Sequence, residues 1–390
     1  MFHRINQKFE YFLKKEINEL YLTHAIRSFA VSTIAIFIPI FFLQKNYSLV
    51  EVMIYFLVHS FLSVFLCYGA LKFTSQKGVK HSIVLSIPLL IFYFLGLYNT
   101  DYLLLLYNKM LVLIIFALIA SISDAFYWMG FHVDFASVSK KESSSKQIGI
   151  IQALGILFSI IGPLFGAFMI SLFSFQKLFI IIISCLCISI IPLFFSGEVH
   201  EPFTFNIKSF LSKINVKKNL PYFAEGVRDF GARIFWPVLL YILAIKLTEM
   251  GGLFTISNAI TAFFTYYVGK KITELNKKKF LNIGAITHSL TMIIRTIVKS
   301  ISYIAIVQGF GALTYSLLNI PFQTSFYNNS KKRGISNIIF AREATLNIAR
   351  FFTTAALVAL LFLLKEKSAL IIMIIIGGIF TLFMTWIKDE

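Results

Sequence analysis

The chain has 390 residues, of which 58% are hydrophobic and only 14% are charged, and its formal net charge is +18. Soluble domains contain about 45–50% apolar and about 25% charged residues, so the composition excludes an ordinary soluble protein. Apolar stretches of the roughly 17–25 residues that cross a bilayer recur along the whole chain, which indicates an all-α integral membrane protein.

Residues 1–20 predict a cytoplasmic amphipathic leader. Phe2, Ile5, Phe9 and Phe12 recur at near-helical spacing, and lysines lie between them. This pattern is typical of a helix that lies on a membrane surface. A short solvated helix is the alternative interpretation.

Twelve transmembrane helices are predicted after the leader. Their approximate ranges are 21–43, 49–71, 82–98, 108–137, 148–173, 176–196, 222–245, 250–268, 280–299, 301–327, 336–363 and 368–387. The longest polar gap follows the sixth range. We therefore expect an N-terminal six-helix half at 21–196, a cytoplasmic linker at 197–219 and a C-terminal six-helix half at 220–390.

Lysine and arginine residues are distributed unevenly between the loops. With the N-terminus inside, the inner segments hold 23 of them and the outer segments hold 7. Because cytoplasmic loops carry the excess of Lys and Arg, the sequence predicts a multi-pass protein of the cytoplasmic (inner) membrane with both termini in the cytoplasm. Topology thus explains the positive charge, and no nucleic-acid partner is expected.

One sequence pattern occurs twice. "GFHVDFASVSKK" begins at Gly130 and "PFQTSFYNNSKK" begins at Pro321, an offset of 191 residues. The first pattern lies at the end of span four and the second at the same end of span ten. Six spans separate them, so both copies have the same orientation. The sequence therefore predicts two six-helix halves related by a parallel pseudo-repeat, which is one of the known transporter plans.

Three further segments carry weak motifs. The loop "GALKFTSQKGVKHS" contains Gly69, Gly78 and Lys80, and "GKKITELNKKKF", about 200 residues later, contains Gly269 and Glu274. Span five reads "GIIQALGILFSIIGPLFGA". Its motif residues are Gly149, Gly162, Pro163 and Gly166.

With these motifs, the twelve spans and the repeat, the sequence resembles the major facilitator superfamily over essentially its whole length. The resemblance implies that the two glycine-containing loops are gating loops of alternating access. Their basic residues have a second interpretation, as topology signals alone. In the family the span-five motif is associated with exporters. The family's Arg-x-x-Gln-Gly motif of span four, which is linked to proton coupling, is missing here.

Polar side chains follow one face of four predicted spans. They are Asp124, Tyr127, Trp128 and His132 in span four; Glu225, Asp229, Arg233 and Trp236 in span seven; Tyr315, Asn319 and Gln323 in span ten; and Glu343, Asn347 and Arg350 in span eleven. Because ionisable groups are costly in a bilayer, they mark functional sites by default. These spans face inward in the family fold, so the resemblance implies that the side chains line a central substrate cavity.

Plainer interpretations stay open for several of these residues. Asp229 and Arg233 are spaced as a structural i,i+4 ion pair. His132 could be an ordinary interfacial histidine, and Trp128 and Trp236 could be belt aromatics. Arg295, in a span that faces lipid in the family fold, is expected to extend toward the membrane surface.

The function predicted is secondary active transport of a small organic solute by a monomer, with export slightly favoured. The absence of a phosphate-binding motif argues against an ATP-driven pump, so the energy is expected to come from an ion gradient, with protons as the coupling ion, or from the solute's own gradient. Asp124, with no Lys or Arg within two turns along the sequence, is the candidate coupling acid. No motif of an enzyme, a metal site or a cofactor site is found, so neither catalysis nor a cofactor is expected. The alternatives are a lipid or lipid-precursor translocase on the same fold and a non-transporting membrane sensor.

Overall fold

The computed structural model describes residues 19–20, 22–138, 155, 157–195, 216–273, 275–298 and 300–388. Every regular element in this part of the chain is a helix. Most of the predicted leader and most of the predicted linker lie outside the described residues, as do Gly149 and Glu274.

Among the described residues, the first part of the bundle comprises eight helices. They are α1 at 22–32, α2 at Ile38–Gln44, α3 at Leu49–Lys77, α4 at Val79–Tyr98, α5 at Thr100–Leu106, α6 at Lys109–Val138, α7 at Leu157–Leu172, and α8 at Phe175–Ile190 with a 3₁₀ turn at Ile191–Phe194.

The described residues of the second part form seven helices. They are α9 at Val216–Phe230, α10 at Trp236–Ile242, α11 at Leu247–Lys271, α12 at Lys277–Ile294, α13 at Ile301–Arg333, α14 at Ile335–Leu363, and α15 at Glu366–Thr381 with a 3₁₀ turn at Leu382–Trp386. Helix α9 thus begins inside the segment that the sequence assigned to the linker.

Seven helical segments of the described chain are long and apolar enough to cross a membrane. They are Leu49–Lys77, Val79–Tyr98, Lys109–Ala136, Phe175–Phe194, Ile301–Ser330, Ile335–Leu363 and Glu366–Trp386. The protein is therefore a multi-pass, all-helical membrane protein, as predicted. The count of twelve spans stays a prediction.

The first predicted span is not one continuous helix. Residues 33–37 form turns between α1 and α2, and Pro39 lies in the first turn of α2. Proline lacks an N–H donor and its ring clashes with the carbonyl group four residues earlier, so an α-helix cannot run through this point undisturbed. The turn leaves the backbone around Thr33 open to close packing by another helix.

The helices alternate between two ends of the bundle. The Lys77 end contains the last residues of α3, α6 and α13, and the Gln44 end contains the last residues of α2, α4 and α14. At the Lys77 end, Gly78 separates α3 from α4 with a φ of 102°, a conformation that glycine adopts without the Cβ strain of other residues. At the Gln44 end, Ser48 and Glu51 form a capping box that starts α3.

The two parts of the bundle contact each other through several helix pairs. Helix α3 packs on α14, α7 on α11, α2 on α10, and α6 on both α13 and α14. An apolar cluster at the Lys77 end includes Leu71, Met129, Phe135, Phe326 and Ile339, all fully or nearly buried. The cluster draws on both parts of the chain and therefore closes that end of the bundle.

The two copies of the repeated sequence pattern meet in this cluster. The ring of Phe135 lies 4.4 Å from that of Tyr327, and His132 contacts Phe326 at 6.1 Å between ring centroids. Residues separated by about half of the chain thus pack directly against each other at the Lys77 end.

Close helix contacts depend on glycines of the span-five motif. A Cβ atom at Gly166 would overlap the carbonyl oxygen of Thr33, and one at Gly162 would overlap Oγ of Ser32. On the other face of α7, the carbonyl oxygen of Pro163 would lie 2.7 Å from a Cβ atom on Gly251 of α11. Helix α7 is therefore held between the turn after α1 and helix α11.

A π-helical segment, Gly231–Phe235, joins α9 to α10, and the N–H of Trp236 donates to the carbonyl oxygen of Gly231. π-helical segments are rare in proteins, and those that occur often lie at functional sites. This one directly follows the charged residues of α9 and contains Arg233.

Candidate functional site

A buried ionic network joins α9, α14 and α6. Arg342 donates from Nε to Glu225 Oε2 at 3.0 Å and from Nη2 to Glu225 Oε1 at 2.6 Å. Its third contact, from Nη1 to Glu343 Oε1, is 2.8 Å long. Paired, two-bond contacts of this kind are the strongest that arginine makes with carboxylates. We call Glu225, Arg342, Glu343 and His132 the Arg342 network.

His132 connects this network to the first part of the chain. Its Nε2 lies 3.2 Å from Arg342 Nη1 and 3.4 Å from Glu343 Oε1, and its Nδ1 lies 2.9 Å from the Tyr327 hydroxyl. The imidazole also stacks on half-buried Trp128, with 5.6 Å between ring centroids. His132 is therefore a buried bridge between the two parts of the bundle and not an interfacial histidine.

Side chains of α13 complete the network. Gln323 donates from Nε2 to Glu225 Oε1 at 3.2 Å and lies 3.5 Å from Asn319 Oδ1. Of the predicted residues of span ten, Gln323 thus contacts Glu225 of span seven directly, and Asn319 contacts Gln323.

A second ionic group surrounds Asp229. Arg233 Nε contacts Asp229 Oδ1 at 2.9 Å, and Arg350 Nη2 contacts Asp229 Oδ2 at 3.0 Å. The expected i,i+4 pair therefore exists, but it is not an isolated buried pair. Arg233 keeps 64% of its side-chain surface exposed, and Arg350 from α14 holds the other carboxylate oxygen.

Asn347 lies between the two ionic groups. It accepts a hydrogen bond from Arg350 Nη1 at 3.3 Å and donates from Nδ2 to the carbonyl oxygen of Glu343 at 3.0 Å. Its Nδ2 also lies 3.6 Å from Cys67 Sγ of α3. The predicted stripe on span eleven thus contacts α9 on one side and α3 on the other.

Asp124 belongs to a third group, which α1, α3 and α6 form together. Arg27 Nη2 lies 3.6 Å from Asp124 Oδ1, and His59 Nε2 lies 3.3 Å from Asp124 Oδ2. The sequence showed no cation near Asp124 on its own helix, but α1 and α3 bring a guanidinium group and an imidazole to it. The Asp124 side chain still keeps 39% of its surface exposed.

Tyr127 anchors the same group. The guanidinium carbon of Arg27 lies 3.4 Å from the centre of the Tyr127 ring, a close cation–π contact. The Tyr127 hydroxyl lies 2.5 Å from His24 Nδ1. Tyr127 is fully buried and so fixes Arg27 beside Asp124.

Trp236 is a buried residue and not a belt aromatic. Its indole N–H donates to Gln308 Oε1 at 3.0 Å, as a tryptophan in an apolar interior requires. The Arg295 guanidinium carbon lies 5.5 Å from the ring centre. Arg295 is buried, which corrects the expectation that it extends toward the membrane surface. It does not extend outward because Gly311 on α13 leaves space for its guanidinium group.

Tyr315, the remaining predicted residue of span ten, contacts two basic side chains. Its ring centre is 4.9 Å from the guanidinium carbon of Arg228 and 5.7 Å from the His288 ring. It is the centre of a basic group that the sequence did not predict.

The loop residues have varied surroundings. Lys80 forms a buried ion pair with Glu19 at 2.9 Å, whereas Gly69 and Gly269 have no atom within 4 Å of an added Cβ position. Those two glycines therefore make no close helix contact in this conformation. Gly78 is the turn residue between α3 and α4.

Sequence reasoning left several contributors out of these groups, and four of them come from other helices or turns than the predicted stripes. They are His24 and Arg27 of α1, His59 of α3 and Tyr327 of α13. Arg27 and His59 are ionisable residues inside predicted spans, and that signal alone is sufficient to nominate them. Tyr327 carried no such signal.

The fold and the internal ionic groups define a multi-pass membrane protein with a charged interior. Comparison with solved structures shows which fold it has. The chain has the same fold as a solved membrane transporter. The structure is similar to that of the human organic anion transporter MFSD10 (TETRAN), with a TM-score of 0.69 over 96% of this chain and 99% of that chain, at 12% sequence identity.

At the level of sequence the similarities are weaker. The chain is 21% identical over 255 residues to the Bacillus subtilis (strain 168) protein named "Uncharacterized protein YqgE". That match covers 61% of this chain and 59% of the length of the curated relative. No protein-family model matches the sequence.

Proposed function

We propose that the protein is a secondary active transporter that moves a small organic solute by alternating access of two six-helix halves, 21–196 and 220–390. The observation that supports this proposal is the set of ionic groups inside both halves, of which the Arg342 network joins the two. Asp124 and Arg233 keep 39% and 64% of their side-chain surfaces exposed although their partners Arg27 and Asp229 are buried. Polar groups of a solute would find hydrogen-bonding partners there.

The charges favour a solute that carries a negative group. The interior of the C-terminal half contains more arginines than carboxylates. The arginines are Arg228, Arg233, Arg295, Arg342 and Arg350, and the carboxylates are Glu225, Asp229 and Glu343. The human protein with the similar fold is itself named as an organic anion transporter. The span-five motif favours export.

Alternating access requires contacts that break at each end in turn. The Arg342 network and the apolar cluster at the Lys77 end are candidates for the cytoplasmic gate, because both join the two halves. The gating role of Gly69, Gly78, Lys80, Gly269 and Glu274 remains part of this proposal, as do the twelve-span count and the parallel repeat.

We propose Asp124 as the proton-coupling group. Asp124→Asn keeps the shape of the side chain but removes its ability to ionise. We expect this variant to lose proton-driven accumulation and to keep solute exchange. The measurement is uptake of fluorescent organic anions into proteoliposomes, with and without a pH gradient.

A matched control for this experiment is Asp101→Asn. Asp101 pairs with Lys45 on the exposed surface at the Gln44 end, so its neutralisation should leave accumulation unchanged. Wild-type accumulation by the Asp124→Asn variant would remove Asp124 from the mechanism and direct attention to Glu225 and Glu343.

We also propose that the Lys77 end faces the cytoplasm, with both termini there, in the cytoplasmic membrane. Single cysteines are introduced at Gln76 and Asn46, both exposed, after replacement of Cys67, Cys185 and Cys187 by serine. We expect a membrane-impermeant maleimide to label position 46 in intact cells and position 76 only in inverted vesicles. Labelling of position 76 in intact cells would reverse the proposed orientation.

A further inference from the structure

Two arginines in the C-terminal half have no close carboxylate partner among the described residues. Arg228 of α9 is 3% exposed, and Arg295, directly after α12, is 5% exposed. Arg228 comes no closer than 3.9 Å to Asp229, whose two oxygens already bind Arg233 and Arg350. Arg295 takes part in no ion pair of the described chain.

The two guanidinium groups belong to one basic cluster together with His288. Arg228 and His288 both contact the ring of Tyr315, at 4.9 Å and 5.7 Å. His288 and Arg295 are seven residues apart and so share one face of the chain at α12. Both side chains also reach the same turn of α13: Arg295 Nη2 lies beside Gly311, and His288 Nδ1 contacts Thr314, which donates to the carbonyl oxygen of Gly311.

Each of these three side chains has one fully buried nitrogen without a hydrogen-bond partner. The atoms are Nε of Arg228, Nε of Arg295 and Nε2 of His288, and all three are buried. Nδ1 of His288 is 3.1 Å from Thr314 Oγ1, so Nε2 is the nitrogen that remains. The Thr314 hydroxyl donates to the carbonyl oxygen of Gly311, so it accepts from Nδ1 of His288. The cluster therefore presents two unused guanidinium N–H donors, and a third from Nε2 when the imidazole of His288 is protonated on both nitrogens.

Burial of charged donors without a counter-charge is strongly unfavourable, because the groups lose water and gain no equivalent contact. The faces of Trp236 and Tyr315 offset part of this cost through cation–π contacts. They do not satisfy the unused N–H groups, which lie in the planes of the guanidinium groups. A compact anion among them would supply both the charge and the acceptors.

We propose that Arg228, Arg295 and His288 form a buried binding site for a compact monovalent anionic group. The group is either a halide ion or the carboxylate of a small organic molecule. Binding requires no transport cycle, so the proposal extends beyond the transport function and stands or falls separately from it.

The test uses the purified full-length protein in detergent. Its thermal unfolding is followed while sodium chloride or sodium acetate replaces sodium sulfate at constant ionic strength. We expect a saturable rise of the unfolding temperature with one or both monovalent anions. A response to chloride alone identifies a halide site, and a response to acetate, with or without chloride, identifies a carboxylate site. No saturable response to either anion would overturn the proposal.

Arg295→Gln is the diagnostic variant. Because it removes repulsion within the cluster, we expect it to unfold at the wild-type temperature or above in sulfate and to weaken half-saturation at least tenfold. Lys177→Gln, at an exposed position near the Gln44 end, is the matched control and should respond as the wild type does. An equal loss of stability by Arg295→Gln in every buffer would assign Arg295 a purely structural role and contradict the site.

A measurement on the unmodified protein covers the case in which the variant does not fold. Trp236 is buried, and its ring lies 5.5 Å from the Arg295 guanidinium carbon, so iodide in the site would quench its fluorescence. We expect a saturable quenching component that chloride or acetate displaces, above the linear quenching of exposed Trp386. Linear quenching alone, unaffected by the competing anion, would count against the site.

Discussion

Arg342→Leu is expected to produce the largest loss of stability of any single substitution in the ionic interior. The variant leaves Glu225 and Glu343 buried without their shared cation, and only His132 and Gln323 remain as partners. Removal of one member of a buried ionic group typically costs about 3–5 kcal/mol. The measurement is the free energy of unfolding, or the fraction of folded protein, in detergent.

Arg233→Leu is the matched control for this prediction. The same substitution there removes one partner of Asp229, but Arg350 still binds the other oxygen and the Arg233 side chain is mostly exposed. Exposed ion pairs contribute only about 0.2–1 kcal/mol, so we expect a small loss of stability. Similar losses for the two variants would show that the Arg342 network does not hold the halves together.

A second large effect is expected from Gly166→Ala. The new methyl group would overlap the backbone carbonyl of Thr33, and a backbone atom cannot move aside as a flexible side chain can. Overpacking usually costs about 1–3 kcal/mol and sometimes more. Because this overlap involves backbone, we expect little folded protein, measured as the monodisperse fraction after extraction and size-exclusion chromatography.

Gly252→Ala provides a control with the opposite sign. Gly252 lies in α11 and no atom is within 4 Å of an added Cβ position. Alanine is favoured over glycine in a helix by about 1 kcal/mol, so this variant should be as stable as the wild type or more stable. A Gly166→Ala variant that is extracted and unfolds like Gly252→Ala would contradict the close contact between α7 and the turn at Thr33.

The sequence predicted the helices well where apolar runs and polar turns alternate. The range 336–363 corresponds to α14 at Ile335–Leu363, within one residue at its start. The break at 33–37 was missed because the apolar character of the residues continues through it. Pro39 is the local signal that would have indicated it.

Side-chain pairs along one helix were predictable, but pairs between helices were not. The spacing of Asp229 and Arg233 predicted their contact, which the structure shows at 2.9 Å. The spacing held no information on Arg350, which lies 121 residues from Asp229 in the chain. For the same reason Asp124 was expected to be isolated, although Arg27 and His59 reach it from α1 and α3.

The direction of a long side chain also depended on residues distant in the sequence. Arg295 was expected to extend toward the membrane surface because its span faces lipid in the family fold. It lies inside because α13 has glycine at position 311, where a Cβ atom would be 2.6 Å from Arg295 Nη2. A single residue on the neighbouring helix thus determined where the charge lies.

The π-helical segment at Gly231–Phe235 has the character of an inserted residue. Each residue of an α-helix turns the chain by about 100°, so deletion of one residue here would rotate all of α10 by that angle relative to α9. Trp236 would then turn away from Gln308, while Glu225 and Asp229 kept their positions. The number of residues in the π-helical segment therefore sets the rotation of α10, with Trp236, relative to the charged residues of α9. An insertion or deletion in this segment would change that rotation even if every ionic residue stayed in place.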